Sequence, residues 1–381
     1  MGAELNFDVI RLPEACRALR QQVRAFIAEE IAAGNFNPDA GDDGYSTEFS
    51  RKLGARGWIG MTWPKRYGGG ERSFLERYVV TEELRVANAP VRLHFVADRQ
   101  SGPVILRYGS ESLKADVLPR ICKGEVCFAI GMSEPSSGSD LFAAKTRATK
   151  TAGGWLINGT KIWTSNAHIA EYAVVLCRTS DEADRHEGLS QLLVDLRSEG
   201  LEVHPIPFLD GTEHFNEVVL RDVFVPDELV LGAVGMGWAQ NTSELAHERG
   251  GPDRWLSTYL VVEQFLREHA DTPLGERAHV LMGDATARWW GLRQLSLSVA
   301  RQIDRGEAPS AESALVKEMG TRFEQDVLAA VQRLVDLEPS PDTSSPFERL
   351  LVRAVLTAPS FTIRGGTNEV LRSVAARGLR S

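Results

Sequence analysis

The sequence lacks several features that would place it in a special class of protein. Its 381 residues include only 4 cysteines, and these are widely spaced except for the C-x₄-C pair Cys122 and Cys127. A disulfide framework or a cysteine-ligated metal site is therefore not expected. No apolar run approaches the roughly 20 residues that a membrane-spanning helix needs, so the sequence predicts no membrane association.

Blocks of positive charge and targeting signals are also missing. The formal net charge is −9 and no basic block occurs, which argues against nucleic acid or an anionic membrane surface as a partner. The N-terminal stretch MGAELNFDVIRLPEACRALR has no apolar segment behind basic residues, so it does not look like a signal peptide. Together these features predict a soluble cytoplasmic protein.

Several well-known catalytic motifs are absent or incomplete. The segment HERGG (247–251) begins like a zinc-protease helix, but Gly251 stands where H-E-x-x-H needs its second histidine, so no metal site is predicted. The sequence has no G-x-S-x-G motif, and GMGWAQ (235–240) has Gln240 where the third glycine of G-x-G-x-x-G belongs. A serine nucleophile and a Rossmann-type cofactor site both lose support.

What remains is a chain whose pattern changes from helical to strand-like and back. Helical periodicity covers 11–33, 46–56, 74–87 and 98–121, and it returns over 238–269, 275–305, 310–336, 347–356 and from residue 368. Between them, short β-like runs surround two turn signals, Gly153-Gly154 and Asn158-Gly159, which suggests a barrel or sandwich. The expected domains are 1–125, 126–232 and 233–381.

Two turns in the strand-like part are candidate binding elements. GMSEPSSGSD (131–140) is rich in Ser and Gly and follows an apolar run, and KIWTSNA (161–167) places Trp163 beside Thr164 and Ser165. A flat aromatic side chain next to hydroxyl groups would suit a planar heteroaromatic cofactor. A plain loop and a tryptophan in the barrel core are the alternatives.

The stretch SELAHERGG (243–251) offers a carboxylate at a predicted kink. Pro252 cannot donate to the carbonyl of Glu248 and follows two glycines, so the helix is expected to kink directly after Glu248. A carboxylate on a buried face at such a kink would have its pKa raised by desolvation, as a general base needs. An exposed Glu248–Arg249 pair on a solvated helix is the alternative.

The stretch SFTIRGGTNEVLRS (360–373) places two glycines directly before a predicted closing helix. Such a turn exposes backbone N–H groups at a helix N-terminus, which favours an anion or a developing negative charge.

Five segments together resemble the acyl-CoA dehydrogenase family over nearly the whole chain. They are YGSESLKADVLPRICKGE (108–125), FAIGMSEPSSGSDL (128–141), INGTKIWTSNA (157–167), VFVPDELVLG (223–232) and GGTNEVLRSVAARGL (365–379). Each is weakly diagnostic alone, but their order and spacing on an α–β–α chain are specific. The resemblance implies an α+β multi-domain fold: an N-terminal α-helical domain, a central β-barrel-like domain and a C-terminal four-helix bundle.

The resemblance also implies a reaction, a cofactor and partners. In the family, a carboxylate removes the α-proton of an acyl-CoA thioester while the β-hydrogen leaves as hydride to N5 of FAD, which lies between the β-domain and the helices. Electrons then pass to an electron-transferring flavoprotein. For this chain the implied role is an FAD-dependent acyl-CoA dehydrogenase of fatty acid or lipid metabolism, as a homotetramer or dimer, or as a heterotetramer with a homologous subunit.

The family pattern carries over residue by residue to two sets of positions. The cofactor set is Ile130, Met132, Ser133, Trp163, Thr164, Ser165, Thr367, Asn368 and Glu369. The substrate set is Ser139, Arg249, Gly365 and Gly366. In the second set, the backbone N–H at Gly365 would donate to the thioester oxygen as negative charge develops there.

The position of the base departs from the pattern of many members. Those members carry a glutamate within Y-E-G-T in the final turn, but the matching segment here is Arg364-Gly365-Gly366-Thr367. A second group, similar to isovaleryl-CoA and long-chain acyl-CoA dehydrogenases, carries its base on the first helix of the bundle. That position matches Glu248, which becomes the predicted base, with Glu369 as the competing carboxylate.

Two family segments for the adenine side of FAD are missing. Family members usually carry R-x-x-F-G and GG-x-G, which hold the cofactor of a neighbouring subunit, but neither occurs in the matching stretches 267–284 and 337–351. One explanation is a mixed tetramer in which only some subunits hold a complete site, as in relatives that act on steroid side chains. The alternatives to an active dehydrogenase are therefore a non-catalytic or half-site partner subunit and a flavin oxidase or monooxygenase of the same fold.

Overall fold

The computed structural model describes residues 5–40, 44–182, 187–241, 249–271, 273–335, 340 and 343–380. The chain forms two compact units, one from Met1–Gly44, Ser73–Pro90 and Ala246–Ser381 and the other from Tyr45–Arg72 and Val91–Leu245. The main helices are α1 (Glu14–Ala32), α2 (Thr47–Ala55), α3 (Phe74–Val86), α4 (Arg92–Val96), α5 (Gly102–Tyr108), α6 (Glu111–Cys122), α7 (Tyr259–Glu268), α8 (Glu276–Asp304), α9 (Ser310–Gln332), α10 (Pro346–Thr357) and α11 (Asn368–Arg380). The strands are β1 (Phe128–Gly131), β2 (Arg147–Thr151), β3 (Gly154–Ser165), β4 (Tyr172–Arg178), β5 (Leu189–Asp195), β6 (Leu201–Ile206), β7 (Phe215–Pro226) and β8 (Val230–Leu231).

The first unit is helical and is built around one apolar core. In α1 the predicted stripe forms, since Leu19, Val23 and Phe26 recur at helical spacing and are all buried. Helix α1 packs against α3, and α9 packs against both α8 and α11. Trp255 and Phe323 are almost fully buried in this core, which contributes about 2–3 kcal/mol for each large apolar side chain.

The long helix predicted over 238–269 is interrupted. Residues 237–241 and 249 are helical, Glu248 lies outside the described residues, and helical structure stops at Gly250. A Cβ at Gly250 would lie 2.5 Å from Cγ1 of Val299, so only glycine allows this approach to α8. A 3₁₀ turn follows at Pro252–Arg254, and α7 begins only at Tyr259, because proline and two glycines cannot continue the helix.

The helix predicted over 98–121 is also divided. After α4 comes a π-helical turn, Ala97–Ser101, and α5 ends at Tyr108, directly before Gly109, whose ψ of 155° is extended. The hydroxyl of Ser110 then accepts the N–H of Leu113 and caps α6. Periodicity missed this boundary because both segments bury apolar side chains. Within the described residues, no helix has the length and apolar character needed to cross a membrane.

The second unit contains an eight-stranded sheet with the order β6-β7-β3-β2-β4-β5-β8, and β1 lies parallel to β4. Strands β2 and β3 form the hairpin predicted at Gly153, with Thr151 paired to Gly154. The apolar face of the sheet carries its own buried core, including Ile157, Val194 and Val223. The predicted central β-domain is confirmed.

The second predicted turn, Asn158-Gly159, is wrong, because these residues lie inside β3. They form a β-bulge against β7, where Asn158 opposes two residues and Asp222 has a left-handed φ of 52°. The side chain of Asn158 accepts from the N–H of Asp222 at 3.0 Å and donates to its carboxylate at 2.8 Å. The Asn-Gly signal therefore marked a bend within a strand.

Candidate active site

The closing turn, residues 361–367, leads into α11 in a conformation that requires its two glycines. Gly365 and Gly366 have φ angles of 68° and 92°, a left-handed region that glycine adopts without strain. Thr367 follows, and its hydroxyl accepts from the N–H of Val370 at 3.4 Å, which caps α11. The sequence RGGTN thus combines two left-handed residues with a helix cap.

Two cations hold the carbonyl groups of this turn. The Arg249 Nε donates to the carbonyl oxygen of Gly365 at 3.0 Å, and the Lys317 Nζ donates to that of Gly366 at 2.9 Å. In a trans peptide the next N–H points opposite to the carbonyl, so the N–H groups of Gly366 and Thr367 face away from the cations. Among the described residues, the N–H groups of Gly365 and Thr367 find no acceptor.

Lys317 lies on the buried face of α9 and is fully inaccessible to solvent. Its Nζ also donates to the side-chain Oδ1 of Asn368 at 2.8 Å and to the carbonyl of Thr362 at 3.4 Å. Asn368 accepts a further hydrogen bond from Thr321. The side chain of Asn368 therefore binds α9, and its predicted role in cofactor binding stays a prediction.

An ion pair also anchors the turn to the same helix. The Arg364 Nη2 lies 3.5 Å from a carboxylate oxygen of Glu324 and donates to the hydroxyl of Ser257 at 3.0 Å. Glu324 is fully buried, which raises the pKa of its carboxyl group even though Arg364 and Ser257 counteract this effect. Arg249 is also buried, and burial lowers the pKa of its guanidinium to about 10. The buried cationic side chains that contact the closing turn are thus Arg249 and Lys317.

In the second unit, Trp163 sits in a strained backbone conformation. Residues 162 and 163 of β3 oppose the single residue Glu217 of β7, and Trp163 has a φ of 59°, which is unusual for a bulky residue. Its ring makes an edge contact with Phe215 at a centroid distance of 6.0 Å, yet 52% of the residue is exposed. Asn216 stabilises the bulge by donating to the carbonyl of Thr164 at 2.9 Å.

The end of β1 is fixed to the same bulge by a buried ion pair. The Lys161 Nζ donates to Glu134 at 2.8 Å and to the carbonyl of Met132 at 3.1 Å. Glu134 also accepts the N–H groups of Lys145 and Thr146. Burial by itself would raise the pKa of Glu134, but Lys161 and these donors hold it below its ordinary value.

Comparisons with known proteins show the family of the chain. Family models described as the N-terminal, middle and C-terminal domains of acyl-CoA dehydrogenase match residues 13–125, 129–223 and 235–380. Acyl-CoA dehydrogenase FadE29 of Mycobacterium tuberculosis is 32% identical, over 87% of this chain and 87% of that relative. The chain belongs to the acyl-CoA dehydrogenase family.

Further similarity supports the acyl-CoA dehydrogenase fold predicted from the sequence. Acyl-CoA dehydrogenase FadE34 of Mycobacterium tuberculosis is 34% identical over 86% of this chain, which spans only 45% of that longer relative. The solved structure of the Tcur3481-Tcur3483 steroid ACAD is 30% identical with a TM-score of 0.84, covering 97% of each chain. Acyl-CoA dehydrogenases are oxidoreductases that depend on FAD, so both the predicted enzyme class and the cofactor are confirmed at the level of the family.

The residues predicted to contact FAD in the second unit fit a flat group with polar edges. Trp163 presents an exposed ring, and the hydroxyls of Ser133 and Ser165 are only partly buried and bond to no described residue. The hydroxyl of Thr164 is buried and likewise has no partner among the described residues. An acyl-CoA dehydrogenase can use such an aromatic surface with unpaired hydroxyls to bind a flavin.

For the remaining predicted residues that it describes, the structure gives location and burial but no contact that indicates a role. Ile130 and Met132 are partly buried at the end of β1, and Ser139 is exposed in the following loop. Glu369 is exposed in the first turn of α11, where its own backbone N–H lowers the pKa of its carboxyl. Glu248, the predicted base, lies outside the described residues. The assignments of these residues to cofactor, substrate or catalysis stay predictions.

The sequence interpretation missed the two buried lysines, although a signal for each was present. Lys161 occupies an inward position of β3, and Lys317 shares one face of α9 with Thr321 and Glu324, all fully buried. A lysine on a predicted apolar face is rarely buried without a partner. That anomaly would have marked both residues, but it could not have named the groups that they bind.

Proposed function

We propose that the chain introduces an α,β double bond into an acyl-CoA thioester, with Glu248 as the base that removes the α-proton. One observation carries the proposal: Arg249, the residue next to Glu248, donates to the carbonyl of Gly365 at 3.0 Å. Because Glu248 directly precedes Arg249 in the chain, this bond supports a base close to the closing turn.

The closing turn would stabilise the negative charge that develops on the thioester oxygen when the α-proton is removed. A thioester α-proton becomes acidic enough only when the carbonyl oxygen is stabilised as it gains negative charge. The N–H groups of Gly365 and Thr367 have no acceptor among the described residues, and buried cations lie behind the turn. These features support Gly365 and Gly366 as the segment that binds the thioester oxygen.

When bound, FAD supplies the chemistry of hydride acceptance from the β-carbon. The residues proposed to hold it are those of the β-domain set, in which Trp163 offers a flat surface and Ser133, Thr164 and Ser165 offer hydroxyl groups. Thr367, Asn368 and Glu369 are proposed to contribute from the start of α11. The bulge at Trp163 directs the ring outward instead of into the sheet core.

Replacing Glu248 with glutamine tests the base. Glutamine preserves the shape but cannot accept the α-proton, so kcat should fall about 10²- to 10⁴-fold while the flavin absorbance remains. The comparison variant is Glu369→Gln, which removes the competing carboxylate. As a proposed cofactor contact it should weaken FAD binding, while kcat at saturating FAD is retained. Full activity in Glu248→Gln, or loss only in Glu369→Gln, would show that the base is assigned wrongly.

A second candidate is a partner subunit that supplies half of a flavin site. Two observations favour it: neither R-x-x-F-G nor GG-x-G occurs in 267–284 and 337–351, and the similar steroid ACAD at 30% identity carries two protein names, Tcur3481 and Tcur3483. The chain should then purify without flavin when expressed alone and acquire flavin absorbance when co-expressed with a homologous acyl-CoA dehydrogenase. Stoichiometric FAD in the chain expressed alone would exclude this candidate.

Other features of the proposal rest on the family resemblance. They are an electron-transferring flavoprotein as the acceptor, a role in fatty acid or lipid metabolism, assembly as a homotetramer or dimer, and a cytoplasmic location. Because the similar structure is a steroid ACAD, a thioester on a steroid side chain is a reasonable first substrate to assay.

A further inference from the structure

We propose that Lys317 is a positioning residue that holds the closing turn in the conformation needed to bind the thioester oxygen. The inference rests on the proposed function, because it concerns the same turn. Lys317 bonds to the chain on both sides of Gly365, at the carbonyl of Thr362 (3.4 Å) and at that of Gly366 (2.9 Å). Its third bond, to Asn368, fixes the first residue of α11.

The geometry matches one protonation state of the lysine. An ammonium group has three N–H donors and no acceptor, and Lys317 has three oxygen acceptors within hydrogen-bonding distance. Charge-assisted hydrogen bonds of this kind are roughly twice as strong as neutral ones. The turn between Thr362 and Asn368 is therefore tied to α9 at three points through a single side chain.

The charge of Lys317 also acts through the peptide group that it binds. A cation at the carbonyl oxygen of Gly366 polarises that peptide, so the N–H of Thr367 on its other end becomes a stronger donor. This effect is large only where water is excluded, and Lys317 is fully buried. Lys317 thereby strengthens the Thr367 donor of the turn without touching the substrate.

The surroundings of Lys317 make its charge sensitive to pH. Burial, followed by the positive charges of Arg254, Arg364 and Arg249, lowers the pKa of Lys317 to about 7, while Glu324 on its own helix counteracts the shift. The neutral amine has only two N–H groups for three acceptors. The ammonium form, which fills all three acceptors, is therefore populated below about pH 7 and is lost as pH rises above it.

The test uses the FAD-loaded protein and acetoacetyl-CoA as a probe that cannot be dehydrogenated at the usual position. Its α-carbon lies between two carbonyl groups and loses a proton to give an enolate, which absorbs in the near ultraviolet. Donors at the thioester oxygen increase the enolate-to-ketone ratio of the bound probe at one fixed, mildly acidic pH. Lys317→Met should lower this ratio about tenfold relative to the wild type, which corresponds to one pKa unit of the probe.

Thr321→Val is the matched control, because it removes another buried hydrogen bond to Asn368 from the same helix but leaves the bond from Lys317 to Gly366. It should keep the wild-type ratio. If Lys317→Met does not fold, Lys317→Gln keeps a donor without the charge and should still lower the ratio severalfold.

Each outcome separates this inference from the proposed function. A wild-type ratio equal to that of free acetoacetyl-CoA would overturn the assignment of the turn itself, and the role of Lys317 with it. A raised ratio in the wild type that persists in the folded Lys317 variant would overturn only the role of Lys317. The same fall in Thr321→Val as in Lys317→Met would show a general packing effect and would also overturn it.

Discussion

Replacing Lys161 with methionine should leave the carboxylate of Glu134 buried without its counter-charge. Both side chains are buried, with relative exposures of 0% and 5%, and their nitrogen and oxygen atoms are 2.8 Å apart. Breaking a buried pair from one side costs about 3–5 kcal/mol. Because Glu134 keeps the N–H groups of Lys145 and Thr146 at 2.7 and 2.8 Å, the loss should lie near the lower value, at about 3 kcal/mol.

The sign of the pH dependence should reverse in this variant. In the wild type the pKa of Glu134 lies below its ordinary value of 4.5, so its stabilisation is present above that pH and is lost as pH falls through the folded-state pKa. Without Lys161, burial raises the pKa instead. The folded variant then binds more protons than the unfolded chain, and its stability should increase as pH falls from neutrality toward 5.

Urea unfolding followed by circular dichroism at pH 7 and pH 5 measures both effects. The double variant Lys161→Met with Glu134→Gln should recover most of the loss, because no unpaired charge remains buried. The reasoning would be refuted by a loss below about 1 kcal/mol in the single variant, or by a double variant as unstable as the sum of its parts. Since Lys161 also binds the carbonyl of Met132, the single variant should in addition bind FAD more weakly.

Two further predictions concern other parts of the second unit. Trp163→Gly should weaken FAD binding at least about tenfold in a flavin-fluorescence titration. It should change the free energy of unfolding by less than about 1 kcal/mol, because glycine adopts the φ of 59° without strain. The control is Phe224→Ala, at another exposed aromatic of the sheet, and equal FAD affinities in the wild type and both variants would contradict the assignment. His94 is buried against Ser50, and burial lowers its pKa from 6.5 to about 4. Its protonation should therefore cost up to about 3 kcal/mol of stability as pH falls from 6.5 toward 4. In urea unfolding, His94→Gln should reduce the pH-dependent loss by that amount, and an unchanged loss would refute the reasoning.

The elements of this protein follow mainly from local patterns. The spacing of Leu19, Val23 and Phe26 determines α1, and the alternation around Gly153 determines the hairpin of β2 and β3. Boundaries within continuous apolar periodicity were not predictable, as at Gly109, where two helices follow each other and both bury apolar faces. The turn signal at Asn158 was misread because a bulge and a hairpin use the same residue types.

The sequence by itself determined the family, the order of the domains and the segments that carry the candidate site, because these depend on motifs and their spacing. It also marked the closing turn through the pair Gly365-Gly366, since glycine adopts the left-handed conformation that both residues have without strain. Only the tertiary structure showed that Arg249 and Lys317 bind the carbonyls of that turn, across 116 and 49 residues of sequence. A buried cation can be recognised from its position on an apolar face, but its partners depend on long-range packing that no local pattern encodes.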